Sequence, residues 1–497
     1  MKTNVLILSL VLLLNFEGLA NGNKLDAYGG FKNVFGKKTG FFHTEKIDGR
    51  WWLITPEGHG FFGIGISNPF THFSQGAVIF GYGNNQEAWL RDGIKKMREL
   101  GYNCAWSGPY STERNFKGYV DLELARRVYR EEKIPHGLHI PLILHPVERP
   151  VGTIRPDVFS DEYKAYVKTE VEKLVPQYAD EPLLLGYYYG FGCFIFIYDW
   201  LNETLGRKPG SPGREHLLNI LEGRYKGDIQ ALNSVYNTDF ESFEILQQSG
   251  TVTYPLNWQV DRLYEIQNEP DREKRKMMAD AEALLGEIVE QIYKLAEVEI
   301  RKYDQNHMLL GGFVKDYTFT DGIWKKLAPY VDVLTPQERE MNFIHPIVES
   351  TGVPAMLSDQ EYGNVYPLPV QTRGGAWGAI PDYIDRRVFY DLLGDRIAKE
   401  PGYIGVSFCA CLFDNSNWVK PYERGQPGFF TVDGIPRHDL CDAASTVNAR
   451  MLDTVNTPLD RRSLDRMDEH IHKTREAYQL VMSRRYDYLE KEKKKHD

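Results

Sequence analysis

Short apolar runs recur along the chain, and most of them are followed by polar stretches or by stretches with helical alternation. The first clear run is 60–66, preceded by a hairpin pattern through Trp51, Trp52 and Leu53. The next, 102–106, follows a helix-like segment at 86–100, and further runs stand at 139–144 and 183–189. A long amphipathic helix is predicted from about Asp271 to Tyr303, ahead of the run at 308–313. Runs at 331–334, 353–357 and 403–408 complete a set of eight. Near-continuous apolar strands separated by helices indicate a parallel sheet buried on both faces, and eight of them predict an α/β fold of the (β/α)8 TIM-barrel type. A doubly wound dinucleotide fold is disfavoured, because Gly63-Ile-Gly65 continues as Ile-Ser-Asn-Pro and lacks the glycine fingerprint.

Three further segments frame this core. Residues 1–20 carry Lys2, an apolar run from Val5 to Leu14 and small residues at Gly18 and Ala20. That is the pattern of a secretory signal, too short to span a bilayer, and it predicts a secreted or periplasmic protein. The barrel is assigned to 24–455, with an N-terminal hairpin and a mostly helical insertion at about 201–250 after the fourth strand. Residues 456–497 read as a charged amphipathic helix packed on the barrel exterior, with Leu464, Met467, Ile471, Tyr478, Val481 and Leu489 near heptad spacing. No later stretch has the apolar length of a membrane span, so no membrane insertion is expected.

Composition narrows the chemistry. Of 497 residues, 69 are acidic and 59 are Lys or Arg, a net charge of −10 that argues against a nucleic-acid partner. Aromatics make up 13%, compatible with sugar-stacking surfaces and equally with a large core. The five cysteines, Cys104, Cys193, Cys409, Cys411 and Cys441, show no zinc-type spacing, and buried free thiols are the favoured reading. No metal and no cofactor is expected.

In a barrel of this type the active site lies where the strands end at their C-terminal edge. The predicted strand ends bring there Asn68, Trp106, His145, Tyr187 and Tyr189, Gln337 with Glu338, Asp359 with Glu361, and Asp414. Flat aromatic faces stack on sugars while carboxylates and amides bind hydroxyls, so the set suggests a saccharide site. Asp359, Glu361 and Glu338 are the candidate catalytic carboxylates, since glycoside hydrolysis uses a pair of such groups. Asn68, Trp106, His145, Tyr187, Tyr189, Gln337, Arg373, Trp377 and Asp414 are the candidate substrate-binding residues.

Several stretches resemble the beta-agarase-type family 50 glycoside hydrolases of clan A. They are Thr39-Gly-Phe-Phe with Gly49-Arg-Trp-Trp-Leu-Ile-Thr-Pro-Glu-Gly-His-Gly-Phe-Phe-Gly-Ile-Gly65, the segment from Tyr225 to Phe243 (YKGDIQALNSVYNTDFESF), that from Ile300 to Gly311 (IRKYDQNHMLLG), and Gly428-Phe-Phe-Thr-Val-Asp-Gly434. The likeness runs in consistent order over about residues 39–450. It implies the barrel fold and a carbohydrate ligand. In the family pattern the fourth strand ends in GYFxDNE, whose Glu is the general acid/base; the matching run here is Gly186 to Gly192, with Gly192 in that slot. The nucleophile motif SEFHFG matches Ser358 to Gly363 and puts Asp359 in the nucleophile slot, while Gln337-Glu338 stands where the family has Asn-Tyr.

Three functions fit these observations. The first is an exported glycoside hydrolase acting on a galactan-like or uronate-containing polysaccharide or its oligosaccharides, with Asp359 as nucleophile or base and Glu338 or Glu361 as acid. The second is a sugar lyase or dehydratase using Tyr187, Tyr189 and His145, with Arg114, Arg149, Arg155 or Arg373 binding an anionic group. The third is a non-catalytic carbohydrate-binding barrel. The first is favoured because carboxylates cluster at two strand ends.

Overall fold

Alternating side chains build an antiparallel sheet at the start of the described chain. The computed structural model describes residues 24–66, 69–70, 76–106, 121–143, 155–193, 197–257, 261–315, 318–337, 344–360, 364–365, 379–380, 383–408, 412–413 and 428–496; the segment 1–20 lies outside them. Strands β1 (Phe31–Phe35), β2 (His43–Ile47), β3 (Arg50–Ile54) and β4 (His59–Phe61) pair in the order β1-β4-β3-β2. The β2–β3 hairpin closes through Asp48 and Gly49, both with positive φ (50° and 82°). An Asp-Gly pair is suited to this two-residue turn, whose twist matches that of the strands. Along β3, Leu53 points to one core cluster while Trp52 and Ile54 point to the other, the period-two alternation of a strand.

Parallel strands and helices then alternate. In chain order they are β5 (Gly63–Ile66), α1 (Gln86–Glu99), α2 (Leu122–Glu131), β6 (His136–His139), α3 (Asp161–Tyr178) and β7 (Leu184–Cys193). Helices α4 (Ile197–Leu205), α5 (Pro212–Arg224), α6 (Ile229–Tyr236) and α7 (Phe243–Ser249) follow, then the long α8 (Arg272–Ile300). The chain returns through β8 (Met308–Lys315), α9 (Asp321–Leu327), β9 (Pro336–Gln337), α10 (Ile344–Thr351) and β10 (Ala355–Gln360). The short pair β11 (Asn364–Val365) and β12 (Ala379–Ile380), α11 (Tyr383–Lys399), β13 (Tyr403–Phe408), α12 (His438–Thr454) and α13 (Arg461–His496) complete the order.

The mixed α/β organisation predicted from the apolar runs is present. Its main strands form two parallel sheets, β10-β13-β5 and β6-β7-β8-β9, and their ladders remain open. Single parallel bridges join Gly65 to Cys104, Ala105 to His136 and Leu334 to Ala355. One buried cluster receives side chains from both sheets and from the antiparallel sheet: Leu185, Tyr188, Met308, Leu310, Phe313, Met356 and Ile404 with Phe42, Leu53 and Phe61. The opposite faces of the strands meet the helices in a second, larger cluster. Helix α8 starts where the Asp271 side chain accepts from the Lys274 N–H. It buries Met278, Ala281, Leu285, Ile288, Val289, Ile292 and Ala296 on a helical stripe against its neighbours.

The four helices between β7 and α8 are stapled by polar side chains. Asn233 donates to the Phe240 carbonyl and accepts from the Phe240 N–H and the Thr238 hydroxyl, holding the chain after α6, which ends at left-handed Asn237. Asp280 on α8 accepts from Arg224, Tyr225 and Tyr236 at 2.6, 2.7 and 3.0 Å and ties that group to the long helix. At the other end of the chain, α13 docks on α11 through the Arg396–Asp468 pair. Among the described residues no helix is long and apolar enough to cross a membrane.

Candidate functional site

Parallel pairing brings the strand ends to a common edge. Leu334 bridges Ala355, so Gln337 at the end of β9 and Ser358 in β10 stand level three residues further on. The Ser358 hydroxyl lies 2.9 and 3.0 Å from the Thr335 and Pro336 carbonyl oxygens. That contact stitches β10 to β9 one residue before Asp359, whose backbone lies in the last turn of the pleat before β10 ends. Gln360 pairs with Phe408, and Phe408 with Ile66, so the ends of β10, β13 and β5 are in step. Glu338, Glu361 and Asn68 directly follow or flank these ends but lie outside the described residues, as do His145, Arg373, Trp377 and Asp414. Gln337 is buried at its strand end.

Beneath this edge three rings line the inner core. His139, the last residue of β6, lies against Tyr188 with centroids 5.0 Å apart, and Tyr188 stacks on Phe313 at 5.2 Å and 20°. Burial is the main cause that pushes the His139 imidazole down to about 3, against a smaller opposing contribution from the Tyr189 backbone. At neutral pH it is therefore an uncharged wall of the core. Strand alternation, which puts Gly137 and His139 on one face, is the signal in the sequence that marks His139.

Trp106, expected to face sugar, is instead fully buried in the inner cluster. A Cβ on Gly63 would stand 2.5 Å from its ring, and one on Gly405 2.9 Å, so those glycines exist to admit the indole. Its Nε1 donates to the Gly63 carbonyl at 3.3 Å. It fills space that a smaller residue would leave void, and it offers no surface for stacking.

Tyr187 and Tyr189 also leave the substrate-binding set. Period-two alternation sends Tyr188 inward and its two neighbours outward into the helix-facing cluster, where both are fully buried. The Tyr187 hydroxyl donates to Asp304 Oδ2 at 2.6 Å, and Tyr189 packs edge-on against Tyr293 of α8. Burial, then the Asp304 charge, drives the Tyr187 phenol well above its ordinary value, and burial does the same to Tyr189. Both rings thus lie within the helix-facing core. Asp304 in turn sits 2.5 Å from His307 Nδ1, whose Nε2 lies 2.8 Å from the Glu181 carbonyl. Burial opposes its ionisation, but the hydrogen bond and charge of His307, with Tyr187, hold the Asp304 carboxyl at about 2.

Arg155, one of the candidate anion-binding arginines, is buried and engaged: Nη1 pairs with Glu203 at 2.5 Å and the guanidinium lies over Trp200 at 5.3 Å. A groove of about 580 Å³ runs past Tyr28, Asn103, Lys133 and Pro135. Lys133 and Pro135 precede β6, so that groove opens at the N-terminal edge of the strands, away from Asp359. Asp26, Glu57 and His59 bring ligand-type atoms within 4.8 Å of one another. Asp26 already accepts from the Tyr28 and Gly30 amides and the Thr55 hydroxyl and faces His59 Nδ1 at 2.9 Å, which makes it the staple of a turn.

No protein-family model matches the chain. It is 21% identical to beta-agarase B of Vibrio sp. (strain JT0107) over 87% of this chain and 49% of that protein. It is 22% identical to beta-agarase A of the same organism over 61% of this chain and 34% of that one. The chain thus spans about half, and about a third, of the curated relatives it matches. Among solved structures, an exo-beta-agarase superposes with a TM-score of 0.66 at 17% identity, covering 88% of this chain and 68% of that one. At that identity the likeness is one of fold.

Proposed function

We propose that this chain is an exported glycoside hydrolase that cleaves a polysaccharide of the galactan type, or its oligosaccharides, at the C-terminal edge of its parallel strands. We read those strands, with the bridges at Cys104, Ala105 and Leu334, as one (β/α)8 barrel. The observation that carries the reading is Asp359: it lies in β10 one residue after Ser358, which is tied to β9, in a fold similar to that of an exo-beta-agarase. The beta-agarases with which the chain aligns supply the substrate class.

In this reading Asp359 attacks or activates, and Glu338 or Glu361 protonates the leaving oxygen. On the same reading Gly192 stands in the acid/base slot of the family pattern, so the proton comes from another strand end. Elimination by Tyr187 and Tyr189 loses support, because both rings face the helices.

The test is a panel of neutral galactans and uronate-bearing oligosaccharides, with products followed by mass and by ultraviolet absorbance. Products gaining one water per cleavage, with no unsaturated chromophore, are expected. Asp359→Asn should lower turnover by at least about 10²-fold, and the weaker of Glu338→Gln and Glu361→Gln identifies the acid. Full turnover by Asp359→Asn sinks the catalytic assignment; saturable binding without product would make the protein a carbohydrate-binding barrel.

A further inference from the structure

Two loops at the same edge of the β10-β13-β5 sheet carry apolar side chains that the core does not use. After β5 the chain forms a tight helical turn at Ala77–Gly81, in which Ala77 and Val78 are buried while Ile79 is 44% and Phe80 76% exposed. After β13 it returns through a turn at 431–435, which ends in Ile435, 60% exposed. The loops touch: a Cβ on Gly81 would meet the Val432 carbonyl oxygen at 2.7 Å.

Both loops are held from below. The Tyr82 hydroxyl donates to Asp92 at 2.5 Å, and its ring packs edge-on against Phe413. Lys96 pairs with Asp92 and lies 5.1 Å over the Phe430 ring. In the second turn the Gly434 N–H donates to the Thr431 carbonyl at 2.9 Å and the Ile435 N–H to the Thr431 hydroxyl at 3.0 Å. Phe80 is therefore an exposed ring on a braced support, and displaying it costs solvation with no folding return.

We propose that Phe80, with Ile79 and Ile435 beside it, is a stacking platform that holds a polysaccharide chain outside the catalytic edge. This rests on the hydrolase reading above. A flat ring offers the apolar C–H face of a sugar a surface with few rotamers to freeze. The platform follows strands β5 and β13, whose ends are in register with that of β10, so the loops that carry it stand at the same edge as Asp359. The three side chains expose at most a few hundred Å², well short of the roughly 800 Å² per partner of a stable protein interface. Beneath the patch, Lys96 is committed to Asp92 and to the Phe430 ring.

The experiment uses the full chain, Phe80→Ala, Phe80→Trp and Ile435→Ser, with affinity electrophoresis through soluble neutral galactan and turnover of galactan tetrasaccharides. Because Phe80 is exposed, the thermal midpoint should not move. Phe80→Ala should weaken polymer affinity about three- to tenfold, the range of one lost aromatic contact. Phe80→Trp should retain it, Ile435→Ser should fall between, and tetrasaccharide turnover should stay at the wild-type value. Unchanged polymer affinity in Phe80→Ala, alongside wild-type turnover, overturns the platform and leaves the hydrolase standing. A wild-type chain that neither binds nor cleaves any carbohydrate overturns both. Sedimentation showing a dimer that Phe80→Ala dissolves would make the patch a self-association surface and overturn the platform.

Discussion

At the scale of single residues, a side chain's work here is decided by which face of its strand it occupies. Tyr187, Tyr188 and Tyr189 are chemically identical and consecutive, yet the first donates to a buried carboxylate, the second stacks in the inner core and the third packs on α8. Tyr187→Phe removes a donor from Asp304 while leaving the ring in place. The loss should be about 1.5–3 kcal/mol of stability, the usual effect of a buried hydrogen bond to a charged group, read by urea unfolding. KM for any saccharide the wild type cleaves should not change, and a rise in KM with unchanged stability would return Tyr187 to the substrate site. The strand end was legible in the sequence, but the facing was not: bulges near Tyr188 and Gly190 interrupt the register, and aromatic residues suit both faces equally.

At the scale of elements, the stretches that carried the family resemblance turn out to hold the fold together. The run from Tyr225 to Phe243 supplies Tyr225 and Tyr236 to Asp280 and the Asn233 staple. That from Ile300 to Gly311 supplies Asp304 and His307, together with Arg301, which bonds the Asp304 and His307 carbonyls. The glycines at 63 and 65 make room for Trp106. Such residues report architecture, and this is why the fold was readable where the chemistry was less so. The C-terminal helix was predicted from its apolar spacing, but the charges beneath it were not. Arg396 and Glu400 are completely buried, Asp468 binds the Arg396 guanidinium at 2.6 and 3.0 Å, and Arg461 reaches Glu400 at 3.1 Å. Asp468→Ala strands Arg396 beside a single carboxylate. Losing one partner of a buried pair should destabilise by about 3–5 kcal/mol and open α13 to protease before the remainder of the chain. A variant that unfolds in one step, with no early cleavage in α13, would mean the helix contributes no separate docking unit.

At the scale of the whole molecule, buried titratable groups fix how the fold responds to acid. His136 and His139 are pushed down to about 4 and about 3, mainly by burial, whereas in the unfolded chain such rings titrate near 6.5. Between those values the unfolded state binds the protons that the folded state refuses. Stability is then complete above about pH 6.5 and falls as the pH drops, by roughly 1.4 kcal/mol per pH unit for each histidine. Asp304 acts in a lower window. Its carboxyl is held at about 2 against an ordinary 3.8, so its contribution, on the order of 2 kcal/mol, is present above pH 4 and disappears between 4 and 2. The two windows separate the groups. From pH 6 to 4.5 the slope of unfolding free energy should fall by about one proton in His139→Gln relative to the wild type, because the amide takes up no proton in either state. Asp304→Asn should leave that slope unchanged and flatten the steeper loss below pH 4. Denaturant unfolding at half-unit steps from pH 7 to 3 measures both. Equal slopes for the wild type and His139→Gln between 6 and 4.5 would mean that His139 takes up its proton in the folded core, and the uncharged wall beneath the strand ends would have to be abandoned.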